Sequence, residues 1–530
     1  MRRWNGWGDE TIDVPLPQHA KDYLEEEIGK ASPLPDARLE EVLAKVPESR
    51  LHDHPLISKD PEVRLRHARG QSFPDWVAMR SGNIGVFPDG VSFPESPEEV
   101  RELLSFAKNH GVVVIPYGGG TSVVGHINPL RYPSPVLTID IGRMNKLLDL
   151  DENSLIATLG AGVSGPDLEA QLRARGYTLG HFPQSFEYST LGGWVATRSS
   201  GQQSLGYGRI ERLFAGGTLE TTVGTISLPP FPASAAGPDL RELVLGSEGR
   251  LGILTEIKIR IRPLPERETF HVLFFPDWPT GLQRVQEAVK SQANLSMLRL
   301  SNKAETTSFL RLGAGGRMLA VLEKLLSLGG AKDQKCMVAF GVSATRKLYR
   351  HALRQAKKLF RPSAGKAISH LMGKKWEENR FRSAYLRNAL WEAGYGVDTL
   401  ETATTWDKVE PLMKAIEKAI SSALAPQGQK VLVFSHLSHL YAQGSSIYTT
   451  YIFRLAPSFE ETLERWARMK RAASKVIVQF GATISHHHGV GTDHRAYLIH
   501  EKGKQGIAAI SAACRELDPA GIMNPGKLFQ

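Results

Sequence analysis

The chain has 530 residues, 41% of them hydrophobic and 23% charged, and 65 Lys and Arg against 55 Asp and Glu give a formal net charge of +10. That length can bury more than one core, so two or three domains are expected. No apolar run reaches the roughly 18 residues of a transmembrane helix, and the isolated Cys336 and Cys514 exclude a disulfide framework or a thiolate metal site and fit a reducing, cytosolic setting.

Residues 1–79 open on Trp4-Asn5-Gly6-Trp7-Gly8 and continue as proline-punctuated helical segments; two tryptophans so near the terminus predict a segment docked on the body. A helix then starts with Ser96 as N-cap, Pro97 at its first position and Glu98 and Glu99 in its first turn. Val100, Leu103, Leu104 and Ala107 form its apolar stripe, and Gly111 closes it. Val112-Val113-Val114-Ile115 reads as a short buried strand running into Pro116-Tyr117-Gly118-Gly119-Gly120-Thr121-Ser122. Three glycines followed by two hydroxyls let backbone N–H groups converge on an anion such as a pyrophosphate, and a tight surface turn has the same signature. The stretch is neither a P-loop nor G-x-G-x-x-G.

Strands alternate with short helices from about 80 to 265. Residues 154–176 give a strand, a Ser164 N-cap and a helix with Leu168 and Leu172, and residues 253–261 alternate with period two as a half-buried strand. Pro263 and Pro265 mark a boundary, after which long basic and apolar helical stretches surround strands near 269–275, 334–342 and 430–455. Between Arg346 and Arg387 stand 13 Lys and Arg against Glu377 and Glu378, a net of +11, so the remainder sums to −1. Leu348, Ala352, Ala356 and Leu359 recur there at helical spacing among Arg350, Arg354, Lys357 and Lys358, which suits an anionic lipid surface or a solvated helix face; no nucleic-acid motif accompanies the charge. Near the end come Ser485-His486-His487-His488-Gly489-Val490-Gly491 and Asn524-Pro525-Gly526-Lys527. His486 and His488 are expected on one side of an extended segment; only Asp493 lies nearby as a further ligand type, so no metal is expected.

In order and over nearly the whole chain, these signatures resemble the vanillyl-alcohol-oxidase/p-cresol-methylhydroxylase (PCMH) flavoproteins, and among them the alkyldihydroxyacetonephosphate synthases of ether-lipid synthesis. The resemblance is carried by Trp4-Asn5-Gly6-Trp7-Gly8, residues 116–122, residues 181–194 (His181-Phe182-Pro183 through Gly192-Gly193-Trp194), Thr197-Arg198-Ser199-Ser200-Gly201, Gly237-Pro238-Asp239, Gly246-Ser247-Glu248-Gly249 with Leu251-Gly252, and the triple histidine with its Gly-Val-Gly. It implies an α+β fold: an N-terminal helical segment (1–79), a PCMH-type FAD-binding domain of two subdomains (80–265), an α+β cap or substrate domain (266–475) and a C-terminal segment returning to the active site (476–530).

The resemblance implies non-covalent FAD, although His126 lies near the loop and some relatives attach the flavin through histidine or cysteine. Pro116, Tyr117, Gly118, Gly119, Gly120, Thr121 and Ser122 would meet the pyrophosphate. Gln184-Ser185-Phe186-Glu187-Tyr188-Ser189-Thr190 and Thr197-Arg198-Ser199-Ser200 would lie along the flavin, and Glu248-Gly249-Arg250-Leu251-Gly252-Ile253-Leu254 near the adenosine side. Tyr448 matches the family's acid/base, with His486, His487, His488 and Arg387 as neighbouring cations that would ease loss of its proton, and Arg387 and Arg299 match arginines suited to a substrate phosphate.

The implied reaction is redox-neutral: the acyl group of acyl-dihydroxyacetone phosphate is exchanged for a fatty alcohol, the flavin serving as scaffold and electron sink. A homodimer, no nucleic-acid partner, a cytoplasmic location and peripheral contact with the inner face of the membrane are expected. Without a peroxisomal leader before Trp4 or a peroxisomal tail in Lys527-Leu528-Phe529-Gln530, a bacterial or otherwise cytosolic member is expected. Residues 207–236, with Pro229-Pro230-Phe231-Pro232, depart from the family pattern. The rivals are an oxidase or dehydrogenase of a 2-hydroxy acid such as D-lactate or glycolate, and a non-catalytic flavin-binding scaffold.

Overall fold

The computed structural model describes residues 1–360 and 369–529. The Pro97–His110 helix begins where Ser96 accepts the Glu99 N–H and stops at Gly111 in the left-handed conformation (φ 63°). Its buried stripe packs over a sheet of Ile57–Ser58 (β1), Gly90–Ser92 (β2), Val113–Tyr117 (β3) and Val136–Asp140 (β4), in the order β1-β2-β4-β3 with β4 parallel to both neighbours. The glycine loop is therefore the continuation of an edge strand past its C-terminal end.

Leu147–Asp151 (β5), Ile156–Gly160 (β6), Tyr177–Thr178 (β7), Phe214–Thr221 (β8), Gly224–Leu228 (β9), Ile253–Arg260 (β10) and Arg262–Pro263 (β11) follow; β5-β6-β10-β8-β9 form an antiparallel sheet and β7 pairs with β11. Both sheets share one core, in which Val114, Leu137 and Ile139 meet Leu159, Leu219, Ile257 and Ile259.

Arg267–Phe275 (β12), Met297–Ser301 (β13), Cys336–Ala344 (β14), Tyr395–Thr405 (β15), Val431–Leu437 (β16) and Gly444–Arg454 (β17) build a six-stranded antiparallel sheet, β12-β14-β13-β16-β17-β15. The helices Trp406–Ala423 and Phe459–Gln479 cover one face, burying Val409, Leu412, Ile416, Met469, Ala473 and Ile477 against Leu400, Ile447 and Tyr451. The stretch 430–455 holds two strands, and β13 and β15 were not anticipated: β13 is five residues long, and Asp398 and Glu401 interrupt the apolar pattern of β15.

The N-terminal segment docks on the cap: the Trp7 N–H donates to Asn388 Oδ1 (3.1 Å) and Asn388 Nδ2 donates to Trp7 O (2.9 Å). Ala352, Ala356 and Phe360 of the basic Arg346–Phe360 helix are buried in the same core as Phe275 and Phe340, so its apolar stripe is a packing face and only Leu348 stays well exposed. The basic segment's residues 361–368 lie outside the described residues. No described helix is long and apolar enough to cross a membrane.

Candidate active site

Register places the site. Tyr448 on β17 pairs with Glu401 on β15 and with His436 on β16, and His436 pairs with Ser301 on β13. Side chains of directly paired residues share a face, as do residues two apart on a strand. Glu401, Tyr448, His436 and Arg299 therefore all stand on the face opposite the covering helices. His436 stacks on the Tyr448 ring at 4.7 Å. Arg299 Nη2 donates to Glu305 Oε1 (2.7 Å), which also lies 2.8 Å from His436 Nδ1. Burial opposes the charge on Glu305, yet Arg299 and His436 hold its carboxyl at about 2.

The histidines arrive along the free edge of that sheet. Beside β15, Thr402 Oγ1 donates to Thr483 O (2.6 Å) and the His486 N–H donates to Glu401 O (3.0 Å). The chain then bends, so His486 and His488 do not share a side as expected. His486 and His487 both turn to Glu401: His486 Nδ1 is 3.3 Å from Oε1, and His487 Nδ1 is 2.5 Å from Oε2, a close contact rather than an aligned hydrogen bond. His488 packs edge-on to Tyr448 with ring centres 6.2 Å apart.

Glu401, His439, His486 and His487 bring potential ligand atoms within 4.8 Å of one another. Arg209 Nη1 nevertheless stands 2.6 Å from His486 Nε2, so that nitrogen is the acceptor and the proton sits on Nδ1, facing Glu401. A metal at Nδ1 would drive a second N–H into the guanidinium, so the group is read as a carboxylate held by imidazole N–H donors. Burial works against the charge of Glu401, but His487, His486 and His439 keep its carboxyl well below the ordinary range. His439 in turn ties the two halves of the molecule, its Nδ1 lying 3.1 Å from Ser200 Oγ and 2.9 Å from Ser204 Oγ.

Tyr448 departs from expectation. Burial, with Glu401 and Asp398 nearby, pushes its phenol up to about 12, although part of its surface stays open. The cations foreseen around it are largely absent, because burial lowers His486 to about 4 and holds His488 well below the ordinary value. The pair is thus a protonated phenol beside a neutral imidazole. Arg387 lies near Tyr448, with Nη1 donating to Gln71 O (2.8 Å) and its guanidinium 4.4 Å above the Trp76 ring. Tyr448, Arg299 and the three histidines therefore gather at one face of the cap sheet, and Arg387 approaches from the Trp76 side, near both Asp398 and Tyr448. Sequence reasoning missed Glu401, Glu305, His436, His439, Arg209 and Tyr441, whose hydroxyl lies 2.7 Å from His486 Nε2.

The glycine loop meets the requirements of a diphosphate. Among the described residues, the backbone N–H groups of Gly118, Gly119, Gly120, Thr121 and Ser122 have no acceptor, giving five donors in succession. A Cβ on Gly119 would lie 1.8 Å from Tyr188 O, one on Gly118 would lie 2.2 Å from Thr190 Oγ1, and one on Gly249 would lie 2.8 Å from Pro116 Cγ. The residues fit FAD through this loop. Gly119→Ala is expected to displace the loop backbone and yield protein with under about one-tenth of the wild-type flavin content, read from the visible spectrum of the purified protein.

Other candidate cofactor residues are engaged within the protein. Gln184 Nε2 donates to Arg380 O (2.8 Å), Arg198 pairs with Glu242, and Ser189 Oγ accepts the Trp194 indole N–H (2.7 Å). Thr190 caps the Leu191–Thr197 helix, Thr197 Oγ1 donates to Gly193 O (2.9 Å), and Ser199 Oγ is 3.1 Å from His181 Nε2. Phe186, Leu251, Ile253 and Leu254 are core residues, and Arg250 Nη1 donates to Met523 O (2.6 Å). Glu187 keeps one buried, unpartnered carboxylate oxygen. His126 Nδ1 is 3.0 Å from Ser122 Oγ.

Residues 88–227 match the family described as FAD binding domain, and residues 264–528 match FAD linked oxidases, C-terminal domain. The chain is a member of this two-domain class of FAD-dependent enzymes. It is 30% identical to alkyldihydroxyacetonephosphate synthase of Dictyostelium discoideum, over 99% of this chain and 93% of that protein. It is 28% identical to the synthase of that name from Trypanosoma brucei brucei, over 99% and 92%. A solved alkyldihydroxyacetonephosphate synthase superposes with a TM-score of 0.84 at 26% identity, covering 99% of this chain and 98% of that one. Within the class, the chain belongs to the alkyldihydroxyacetonephosphate synthase family.

Proposed function

We propose that this enzyme exchanges the acyl group of acyl-dihydroxyacetone phosphate for a fatty alcohol, releasing the fatty acid and forming alkyl-dihydroxyacetone phosphate. One observation supports it above the rest: a protonated phenol, a neutral imidazole and the Arg299 guanidinium gather at one face of the cap sheet with Arg387 near the phenol, and the Thr492 N–H donates to Val124 O (2.9 Å), two residues after the glycine loop. The bond from the first substrate carbon to the ester oxygen breaks, the carboxylate leaves with that oxygen, and the alcohol oxygen takes its place while its proton is given up. Bound FAD supplies the electron-accepting ring that makes such an exchange accessible.

Arg299, with an unpartnered Nε, and Arg387 receive the substrate phosphate through planar guanidinium donors. Tyr448 holds a proton for the substrate and returns it, and neutral His488 beside it accepts the proton of the alcohol. Glu401 fixes His486 and His487, so the carboxylate acts through the imidazoles.

An anaerobic absorbance experiment tests the reading. Palmitoyl-dihydroxyacetone phosphate is expected to perturb the flavin spectrum and hexadecanol to restore it, with no response to D-lactate. Bleaching by D-lactate alone would replace the proposal with hydroxy-acid oxidation.

The lipid substrates also support peripheral contact with the inner face of the cytoplasmic membrane. Met318, Val321, Leu325 and Leu328 lie on one face of the Gly316–Leu328 helix and are 59% to 78% exposed; Arg346, Lys347, Arg350 and Arg354 line the basic helix. Flotation with phosphatidylserine vesicles, lost in Leu325→Asp, is the expected result; equal flotation of that variant contradicts it. Assembly as a homodimer is part of the same proposal, tested by light scattering on the eluting protein.

A further inference from the structure

Glu248 follows Gly246-Ser247 in the FAD-binding half and is 4% exposed, with its backbone in the left-handed region (φ 51°). A non-glycine residue in that conformation is held there by its surroundings. Here the Glu248 N–H donates to Ala196 O (2.9 Å), and Asn524 Nδ2 donates to Glu248 O (2.8 Å) and His126 O (3.0 Å). Lys527, fully buried, donates to Asn128 O (2.6 Å) and Asn524 Oδ1 (3.3 Å).

The carboxylate anchored this way reaches across to the histidine segment. One oxygen accepts the Val490 N–H and the other the Gly491 N–H (2.8 Å), in the residues directly after His488-Gly489. Gly489, in the left-handed region (φ 83°), makes the approach possible, since a Cβ there would lie 2.7 Å from Glu248 Oε1. Both oxygens are spent on this loop, and a second anion has no reason to face the diphosphate.

We propose that Glu248 is a positioning residue: a two-pronged latch from the FAD-binding half that sets the position of His486-His487-His488 beside Glu401 and Tyr448, and not a ligand of the cofactor. The inference rests on the reading that these histidines serve the exchange reaction. Burial raises the Glu248 carboxyl to about 7, opposed by the Val490 and Gly491 N–H donors and by Lys527.

Glu248→Gln and Glu248→Asp in the full chain separate the alternatives. In Glu248→Gln, amide deuterium exchange is expected to accelerate at least tenfold at Val490 and Gly491 and little elsewhere. The FAD Kd should stay within about twofold, and kcat should fall roughly 10- to 100-fold at nearly unchanged KM, the scale of losing one or two charge-assisted hydrogen bonds. Glu248→Asp, with the charge kept on a shorter arm, should fall between. Unchanged exchange at those two amides, or an FAD Kd raised tenfold with kcat intact at saturating FAD, overturns the latch. If the wild-type enzyme shows no acyl-for-alkyl exchange, the functional reading fails while the deuterium measurement still decides the latch.

Discussion

Tyr448→Phe is expected to bind FAD like the wild type and to lose acyl-for-alkyl exchange by a factor of about 10² to 10⁴, the usual contribution of a positioned proton donor. The substitution removes one hydroxyl and keeps the ring that stacks on His436, so fold and cofactor binding have no reason to change. The pH dependence carries the sign of the mechanism. Because the phenol sits at about 12, the active form is the protonated one and stays intact from pH 7 to 9. A rate that rises through that range in step with ionisation of Tyr448 would mean a phenolate base and contradict the assignment. The check is product formation by wild type and variant at saturating FAD, across pH.

Glu401→Gln carries the second large effect. The carboxylate sits between His486 and His487 with no exposed surface, and its neutral isostere turns an amide N–H toward imidazole donors. One or more buried donors then lose their acceptor, at about 1–3 kcal/mol each, so stability should fall by about 2–4 kcal/mol and turnover by about a hundredfold or more as the histidines reorient. The folded carboxyl lies below its ordinary value of 4.5, so its contribution is complete above that pH and fades as pH falls through the lower folded value. The wild-type advantage over the variant in urea should therefore be constant from pH 8 to about 6 and shrink in acid; an advantage that grows in acid would contradict the ionised assignment.

What the sequence displayed was largely local. Ser96, Pro97 and Gly111 bracket a helix by their own side-chain chemistry, and three glycines after a strand mark the loop without any distant partner. The histidines and Tyr448 were found because a known family has the same residues in the same order. Glu401 was not, because its importance comes from pairing with Tyr448 across strands 47 residues apart. His439 and Arg209 are likewise functional only through contacts between the two halves, although two histidines three apart, His436 and His439, were a visible signal at the end of a strand. The charge state around Tyr448 was misjudged for a physical reason: an exposed imidazole gains its charge just below neutral pH, whereas burial holds His486 and His488 neutral well below that. The apolar stripe of the basic helix was a core face, and the exposed stripe lies on the Gly316–Leu328 helix, whose basic residues are Arg317 and Lys324.

The most direct test of the central claim is the stoichiometry of a single reaction. Purified enzyme loaded with FAD would be given palmitoyl-dihydroxyacetone phosphate and hexadecanol under argon, and the lipids separated by mass. Redox-neutral exchange predicts one hexadecyl-dihydroxyacetone phosphate for each palmitate released, with the flavin oxidised at the end and no external electron acceptor required. Palmitate release without ether product, or turnover that demands an acceptor and leaves the flavin reduced, would contradict it.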